Sequence, residues 1–203
     1  MIGPVLGRLR RRSRRGLERG QSLVEMGLIL PLLVLIVIGT LEFGFVFDHH
    51  LTLEYATREG ARAGAALAHG GVGPPGCTGA SEVDPRIIAA VQRVLTSPGS
   101  PIVLDEVDEI HIYNSGPDGE ELATNVWRYS AGMGPVVDGT PLNFVQFSVA
   151  WPACNRNNTA VGTESLGVSI AYTYAYQTPF RFVFGDAGLS LADRTVMQLN
   201  PTN

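Results

Sequence analysis

The pattern of apolar and polar positions divides the chain into distinct parts, of which the first is an unbroken apolar run. From Leu23 to Phe47 the sequence reads LVEMGLILPLLVLIVIGTLEFGFVF, with Glu25 and Glu42 as its only charges. A helix of this length is about 37 Å long, against a membrane hydrocarbon core of about 30 Å. A helix on the surface of a soluble protein has one polar face, which this run lacks. The pattern therefore predicts a single membrane-spanning helix, assigned to residues 21–47.

Residues 48–69 are predicted to continue the same helix beyond the membrane. Small residues recur there every four positions, at Ala56, Gly60, Gly64 and Ala68. Each Gly costs a helix about 1 kcal/mol relative to Ala, and close approach of another backbone offsets that cost. We expect this helix-packing stripe to face either the domain formed by residues 70–203, called the outer domain below, or a neighbouring helix. The alternative is an Ala-rich helix with no special contact.

Beyond residue 70 the pattern predicts a domain of one short helix and several strands. A Gly- and Pro-rich loop leads to a helix that starts with Asp84 as its N-cap and Pro85 at its first position. The period then changes to two, and Gly116–Gly119, GPDG, indicates a hairpin turn. Bulky residues alternate with small ones from Val168 to Tyr176, and we assign the bulky face to the core. The predicted strands are 102–113, 122–129, 142–151, 166–177 and 189–199.

The fold class is therefore α+β. A long membrane-spanning helix continues into an exposed helix, and a mostly antiparallel extracytoplasmic β domain with one short helix follows at residues 70–203.

The charges are distributed unevenly and indicate how the chain is oriented. Residues 1–20 hold seven Arg and one acid, a net charge of +6, whereas residues 48–203 hold eight Arg and 16 acids, a net charge of −8. A basic segment just before a membrane helix is typical of a cytoplasmic flank. Taken alone, the Arg run would indicate a disordered arm. We expect residues 1–20 to form a basic cytoplasmic leader, with the outer domain on the other side of the membrane.

The chemistry-bearing residues do not indicate an enzyme. Cys77 and Cys154 form no C-x-x-C pair and have no His at metal-ligand spacing. One disulfide is expected if the domain lies outside the cytoplasm, and two separate buried thiols are the alternative. The acidic cluster from Asp105 to Glu109 does not fit an EF-hand calcium loop. No nucleophile elbow is present, and the charge pattern argues against a nucleic-acid partner, so no metal, cofactor or catalytic residue is expected.

The start of the apolar run resembles a type IV prepilin leader. The Arg-rich segment ends at Gly20, and Glu25 is the fifth residue from Gln21. The resemblance implies cleavage between Gly20 and Gln21 by a prepilin peptidase on the cytoplasmic side. The new α-amine of Gln21 would be cationic at neutral pH and would pair with Glu25 of a neighbouring subunit during assembly. The alternative is an interfacial carboxylate that reaches water.

A longer segment resembles the TadE-like family of tight-adherence (Flp-type) pilus proteins. It carries the RGQSLVE start, the LPLL run, LEFG at Leu41–Gly44 and ATREGAR at Ala56–Arg62. The resemblance implies a minor pilin or pseudopilin that acts in pilus assembly and surface adhesion. Its expected partners are other pilins, pilus assembly membrane proteins, the prepilin peptidase and the lipid bilayer. The alternative function is an uncleaved, single-pass anchored binding module of the cell envelope.

Overall fold

The computed structural model describes residues 15–67, 80–159, 162–179, 181–185 and 188–201. The chain divides into two compact units, of which the first ends at Leu41 and the second begins at Glu42. One long helix, α1 (Arg15–Leu67), contributes to both units. The predicted leader, up to residue 14, lies outside the described residues, as do Ala68 and the loop 68–79.

The first unit consists of the apolar half of α1. Residues 20–37 are all exposed, and Leu23, Leu28 and Leu32 leave more than half of their surface uncovered. Among the described residues, α1 is the one helix that is long enough and apolar enough to cross a membrane, judged by length and composition. Pro31 lies inside it without ending the helix. A segment whose apolar side chains have no protein neighbour fits a lipid environment.

The second unit is an antiparallel sheet with helices on one face. Its five strands lie in the order β5-β2-β1-β6-β7, and every neighbouring pair is antiparallel. A helix, α2, precedes the sheet, a small hairpin of β3 and β4 precedes β5, and a short helix, α3, lies between β6 and β7. This arrangement confirms the predicted α+β class. The bounds are α2 Ala80–Leu95, β1 Val107–Ser115, β2 Glu121–Tyr129, β3 Val136–Val137, β4 Thr140–Pro141, β5 Phe144–Ser148, β6 Ser165–Tyr174, α3 Arg181–Phe184 and β7 Leu189–Gln198.

The core lies between the sheet and the two helices, because each element supplies one apolar face. The face of α2 that points to the sheet is apolar, with Ile87, Ile88 and Val91 fully buried. The predicted bulky face of β6 is confirmed, since Val168, Ile170, Tyr172 and Tyr174 are also fully buried. The opposite, small-residue face of β6 stays half-buried at Ser169, Ala171 and Thr173. The sheet therefore has one covered face and one face open to solvent.

The turn prediction is confirmed, whereas three element boundaries were wrong. Gly116–Gly119 closes the β1–β2 hairpin, with the Gly119 N–H donating to the Gly116 carbonyl at 3.0 Å. Residues 104–106 form a 3₁₀ turn rather than part of β1. The predicted strand over 142–151 ends at Ser148, because Asn125 Oδ1 accepts the N–H groups of Ala150 and Trp151 at 3.0 and 2.7 Å. The predicted extension of β6 to residue 177 ends at Tyr174.

The start of α2 was also predicted wrongly. The helix begins at Ala80, so Asp84 lies within it rather than at its N-cap. The Asp84 carboxylate is buried, where it accepts hydrogen bonds from Arg156 Nη2 at 2.5 Å and from Asn125 Nδ2 at 2.7 Å. Removing either partner would leave a buried polar group unpaired, so these contacts, rather than a cap, determine the position of Asp84.

Candidate assembly and anchoring site

The small-residue stripe of α1 packs inside the outer domain. Ala56 is fully buried, and a Cβ atom added at Gly60 would lie 2.6 Å from Val91 Cγ2 of α2 and 3.3 Å from Val168 Cγ1 of β6. A Cβ atom at Gly64 would lie 2.7 Å from a Leu166 methyl group. The glycines therefore let α1 approach α2 and β6 closely, which offsets their low helix propensity. Ala68 lies outside the described residues.

The tight approach at Gly60 leads to a stability prediction. We expect Gly60→Ala to destabilise the outer domain, because overpacking costs about 1–3 kcal/mol and outweighs a gain of about 1 kcal/mol in helix propensity. Gly44→Ala is the matched control on the same helix, since nothing lies within 4 Å of its added Cβ. The measurement is the thermal midpoint of both variants. A Gly60→Ala protein as stable as Gly44→Ala would contradict the packing argument.

Glu42 joins α1 to the segment that follows β6. Its side chain is only 6% exposed, and one oxygen accepts the Tyr174 hydroxyl at 2.6 Å and the Gln177 N–H at 3.1 Å. The other oxygen accepts the Thr178 N–H at 2.9 Å. Burial and the neighbouring carboxylate raise the pKa of Tyr174, so its hydroxyl stays protonated and donates. These backbone contacts also explain why β6 ends before Gln177.

Two further polar residues of α1 attach it to the sheet. Buried His49 packs its ring edge-on against Tyr174, with 4.8 Å between ring centroids. The hydroxyl of Thr57 donates to Asp193 Oδ2 at 2.5 Å and lies 3.0 Å from the Thr195 hydroxyl, both on β7. The outer half of α1 is therefore bound to the domain by polar contacts as well as by apolar packing.

Sequence reasoning did not identify Glu42 as part of this junction. It counted Glu42 only as one of the two charges in the run from Leu23 to Phe47, whereas the structure includes residues 42–47 in the second compact unit. The available signal was its position, a carboxylate directly after the charge-free run that ends at Leu41. A carboxylate at such a position needs either water or several donors.

The predicted cleavage and assembly residues lie together near the start of α1. Nothing lies within 4 Å of a Cβ added at Gly20, and Gln21 and Glu25 are both exposed. The Gln21 side-chain amide donates to Glu25 Oε1 at 3.0 Å, one helical turn away. Glu25 therefore accepts a hydrogen bond from its own helix in the single chain. Pairing between subunits involves a second chain and stays a prediction.

The two cysteines are only half described. Cys154 lies in a 3₁₀ turn, Ala153–Asn155, and is disulfide-bonded. Cys77 lies outside the described residues. The predicted pairing of Cys77 with Cys154 therefore stays a prediction.

The open face of the sheet carries a charged cluster centred on His111. Its Nδ1 lies 2.8 Å from Glu121 Oε2 and its Nε2 lies 2.9 Å from Glu109 Oε2. A carboxylate only accepts hydrogen bonds, so both ring nitrogens must donate, and the arrangement requires a protonated imidazole. Arg128 binds the other Glu109 oxygen at 2.7 Å. Burial alone would lower the pKa of His111, but the bonds to Glu109 and Glu121 outweigh it and raise the pKa.

The raised pKa of His111 leads to a pH prediction. Its contribution to stability is fully present below the unfolded pKa of about 6.5 and is lost as the pH rises through the higher folded value. We therefore expect the free energy of unfolding to fall as the pH increases from about 6.5, and the His111→Gln variant to lose this dependence. His50→Gln serves as the control. Denaturant unfolding across this range provides the measurement, and an unchanged slope in His111→Gln would refute the assignment.

Other carboxylates of the acidic cluster from Asp105 to Glu109 each bind a different side chain. Glu106 accepts the Tyr172 hydroxyl at 2.6 Å, and Asp108 accepts the Thr173 hydroxyl at 2.9 Å. Within the part of the chain that the structure describes, no group of three or more His, Cys, Asp or Glu residues is arranged to hold a metal ion. The carboxylates of this cluster act as acceptors for side chains of the sheet.

Comparison with known proteins gives a match over part of α1. No curated protein and no solved structure gives a significant match. The sequence model of the TadE-like protein family matches residues 20–62. The matched segment begins at the predicted cleavage site, includes Glu25 and Glu42, and ends at Arg62, within the part of α1 that packs against the outer domain. Over these residues the chain is similar to the TadE-like protein family.

Proposed function

We propose that the protein is a minor pilin or pseudopilin of a tight-adherence pilus machine, anchored in the bacterial cytoplasmic membrane. The observation that carries the proposal is the extent of the TadE-like match, residues 20–62. It covers both the apolar half of α1 and the half that packs on the outer domain. In this proposal the apolar half of α1 lies in lipid before assembly and packs among the helices of other pilins after it.

The proposed orientation places the N-terminus in the cytoplasm and the outer domain outside. It rests on the charge of +6 over residues 1–20 and of −8 over residues 48–203. The prepilin peptidase would then meet the Gly20–Gln21 bond from the cytoplasmic side. Glu25 would pair with the Gln21 amine of another pilin, since an ion pair relieves the cost of burying either charge alone.

One observation favours the alternative, an uncleaved anchored binding module that acts in adhesion. Helix α1 begins at Arg15, so the Gly20–Gln21 bond lies inside a hydrogen-bonded helix. Cleavage requires this turn to open. An anchor that is never cut would keep the helix closed and would never enter a filament.

A deletion strain separates the two functions. If the protein assembles pili, its loss should remove or sharply reduce surface pili counted by electron microscopy, and the wild-type gene should restore them. An anchored binding module would leave pilus number unchanged and alter only attachment. Normal pili in the deletion strain would therefore count against the proposed function.

A further inference from the structure

The charged cluster on the open face of the sheet connects three strands. His111 lies in β1, the middle strand, opposite Ser169 of β6, and Glu121 is the first residue of β2. One oxygen of the Glu121 carboxylate lies 2.8 Å from His111 Nδ1, and the other accepts the Ser169 hydroxyl at 2.7 Å. A single carboxylate therefore ties the start of β2 to both β1 and β6.

A bulge separates the start of β2 from its regular ladder with β1. The register shifts between Asn114 and Ser115, and Leu122 is skipped in the pairing. The Leu122 side chain is 61% exposed, so it packs little against the core. A bulge disrupts the backbone ladder locally. The contacts of the Glu121 side chain therefore contribute more to fixing this end of β2 than they would in a regular strand.

Other charged side chains near His111 have partners away from it. Arg194 of β7 borders the same surface hollow as His111 and donates to a carbonyl of the β1–β2 turn at 3.2 Å. The Asp193 carboxylate binds α1 on the covered face, and Asp108 accepts the Thr173 hydroxyl at 2.9 Å. The protonation of His111 is therefore coupled most directly to the two carboxylates that contact its ring.

Loss of the His111 proton breaks one of these two contacts. A neutral imidazole has one N–H donor, so one carboxylate then faces a ring lone pair. Glu109 is held in place, because Arg128 donates two bonds to its other oxygen at 2.9 and 2.7 Å. Glu121 can move away, because its other contacts are two neutral hydroxyl groups. The remaining proton therefore stays on Nε2, toward Glu109, and Glu121 is released.

We propose that His111 and Glu121 form a pH-sensitive clamp, which holds the start of β2 on the sheet when the imidazole is protonated and releases it when the imidazole is neutral. Burial lowers the pKa of His111, but the bonds to Glu109 and Glu121 outweigh it and raise the pKa above the ordinary value of about 6.5. The clamp therefore opens as the pH rises through this higher value. It consists of residues of the outer domain alone and does not depend on the proposed function.

Titration of the ring nitrogens by NMR tests the clamp. Full-length protein with isotope-labelled nitrogen is titrated in detergent micelles, and the His111→Gln variant identifies the signals of His111. We expect both ring nitrogens to carry protons at low pH and Nε2 alone to carry one at high pH. The backbone amides from Glu121 to Thr124 should change their shifts over the same pH range, because the start of β2 moves with the carboxylate.

Two neighbouring glutamates provide the variant and its control. Glu121→Gln should lower the pKa of His111 by up to about 0.7 pH units, since a partly exposed pair is worth about 1 kcal/mol at most and one pKa unit corresponds to about 1.36 kcal/mol. Glu120→Gln should leave the titration of His111 unchanged, because the Glu120 carboxylate accepts the Asp118 N–H instead.

Three results would overturn the clamp. A proton on Nδ1 rather than Nε2 at high pH would show that Glu121 keeps its bond to the neutral ring. An unchanged titration of His111 in Glu121→Gln would show that the two side chains are not coupled. Amide shifts at the start of β2 that do not follow the titration of His111 would show that the strand is not held by this contact.

Discussion

Incorporation of the Glu25→Gln variant into pili is expected to fall by about two orders of magnitude or more. Removing one partner of a buried ion pair costs about 3–5 kcal/mol, because the other charge is left unpaired. Each 1.4 kcal/mol corresponds to about a factor of ten in an equilibrium. The fold of the free protein should be unaffected, since Glu25 is exposed and accepts one bond from its own helix. The measurement is the ratio of variant to wild type in sheared pili.

The controls for Glu25 separate charge from cleavage. Glu25→Asp keeps the charge and should retain part of the incorporation, whereas Glu25→Gln keeps the shape and should not. The mass of each variant shows whether its leader was removed. An exposed interfacial carboxylate is worth about 1 kcal/mol at most. Incorporation of Glu25→Gln at the wild-type level would therefore support the alternative reading of Glu25.

The Glu42→Gln variant is expected to lose about 3 kcal/mol of stability in the outer domain. Hydrogen bonds to a charged group contribute about 1.5–3 kcal/mol each. A neutral amide keeps one acceptor oxygen and turns its NH2 group toward the remaining donors, either the Thr178 N–H or the Tyr174 hydroxyl and the Gln177 N–H. For a domain of this size the loss corresponds to a decrease of roughly 6–12 °C in the thermal midpoint. Calorimetry of the full chain in detergent measures it.

A second glutamate on α1 provides the control for Glu42. Glu54 forms a surface ion pair with Arg58, whose side chain is 57% exposed. Surface pairs contribute about 1 kcal/mol or less, so Glu54→Gln should change the midpoint little. Equal midpoints for Glu42→Gln and Glu54→Gln would show that the junction contributes no more than a surface contact.

Much of the fold was predictable because local patterns determine it. The alternation in β6 fixes which residues face the core, since successive strand residues point to opposite faces. The turn at Gly116–Gly119 is predictable because its Gly, Pro and Asp residues each favour turn conformations. The start of α2 was not predictable, because the preference of Asp84 for a cap is overridden by Arg156, 72 residues away. The end of β5 was predicted wrongly for the same reason, because Asn125, distant in sequence, accepts the backbone N–H groups that follow the strand.

The candidate site also has a part that the sequence predicts and a part that it does not. Gly20, Gln21 and Glu25 are identified from their order in the sequence, and the small-residue stripe from its spacing. The junction at Glu42 was missed, because its acceptor role depends on Tyr174 and Thr178, which lie 132 and 136 residues along the chain. The charge state of His111 likewise depends on Glu121, which reaches it only because β1 and β2 form a hairpin.

The mature N-terminus of the native protein tests the central claim most directly. The protein would be isolated from membranes and from sheared pili of the same cells, and its N-terminal peptide identified by mass spectrometry. The account predicts a chain that begins at Gln21 in both fractions, lighter than the full 21.7 kDa by the mass of the leader. A chain that retains the leader in membranes and is absent from pili would contradict the account and would leave an uncleaved anchored module in its place.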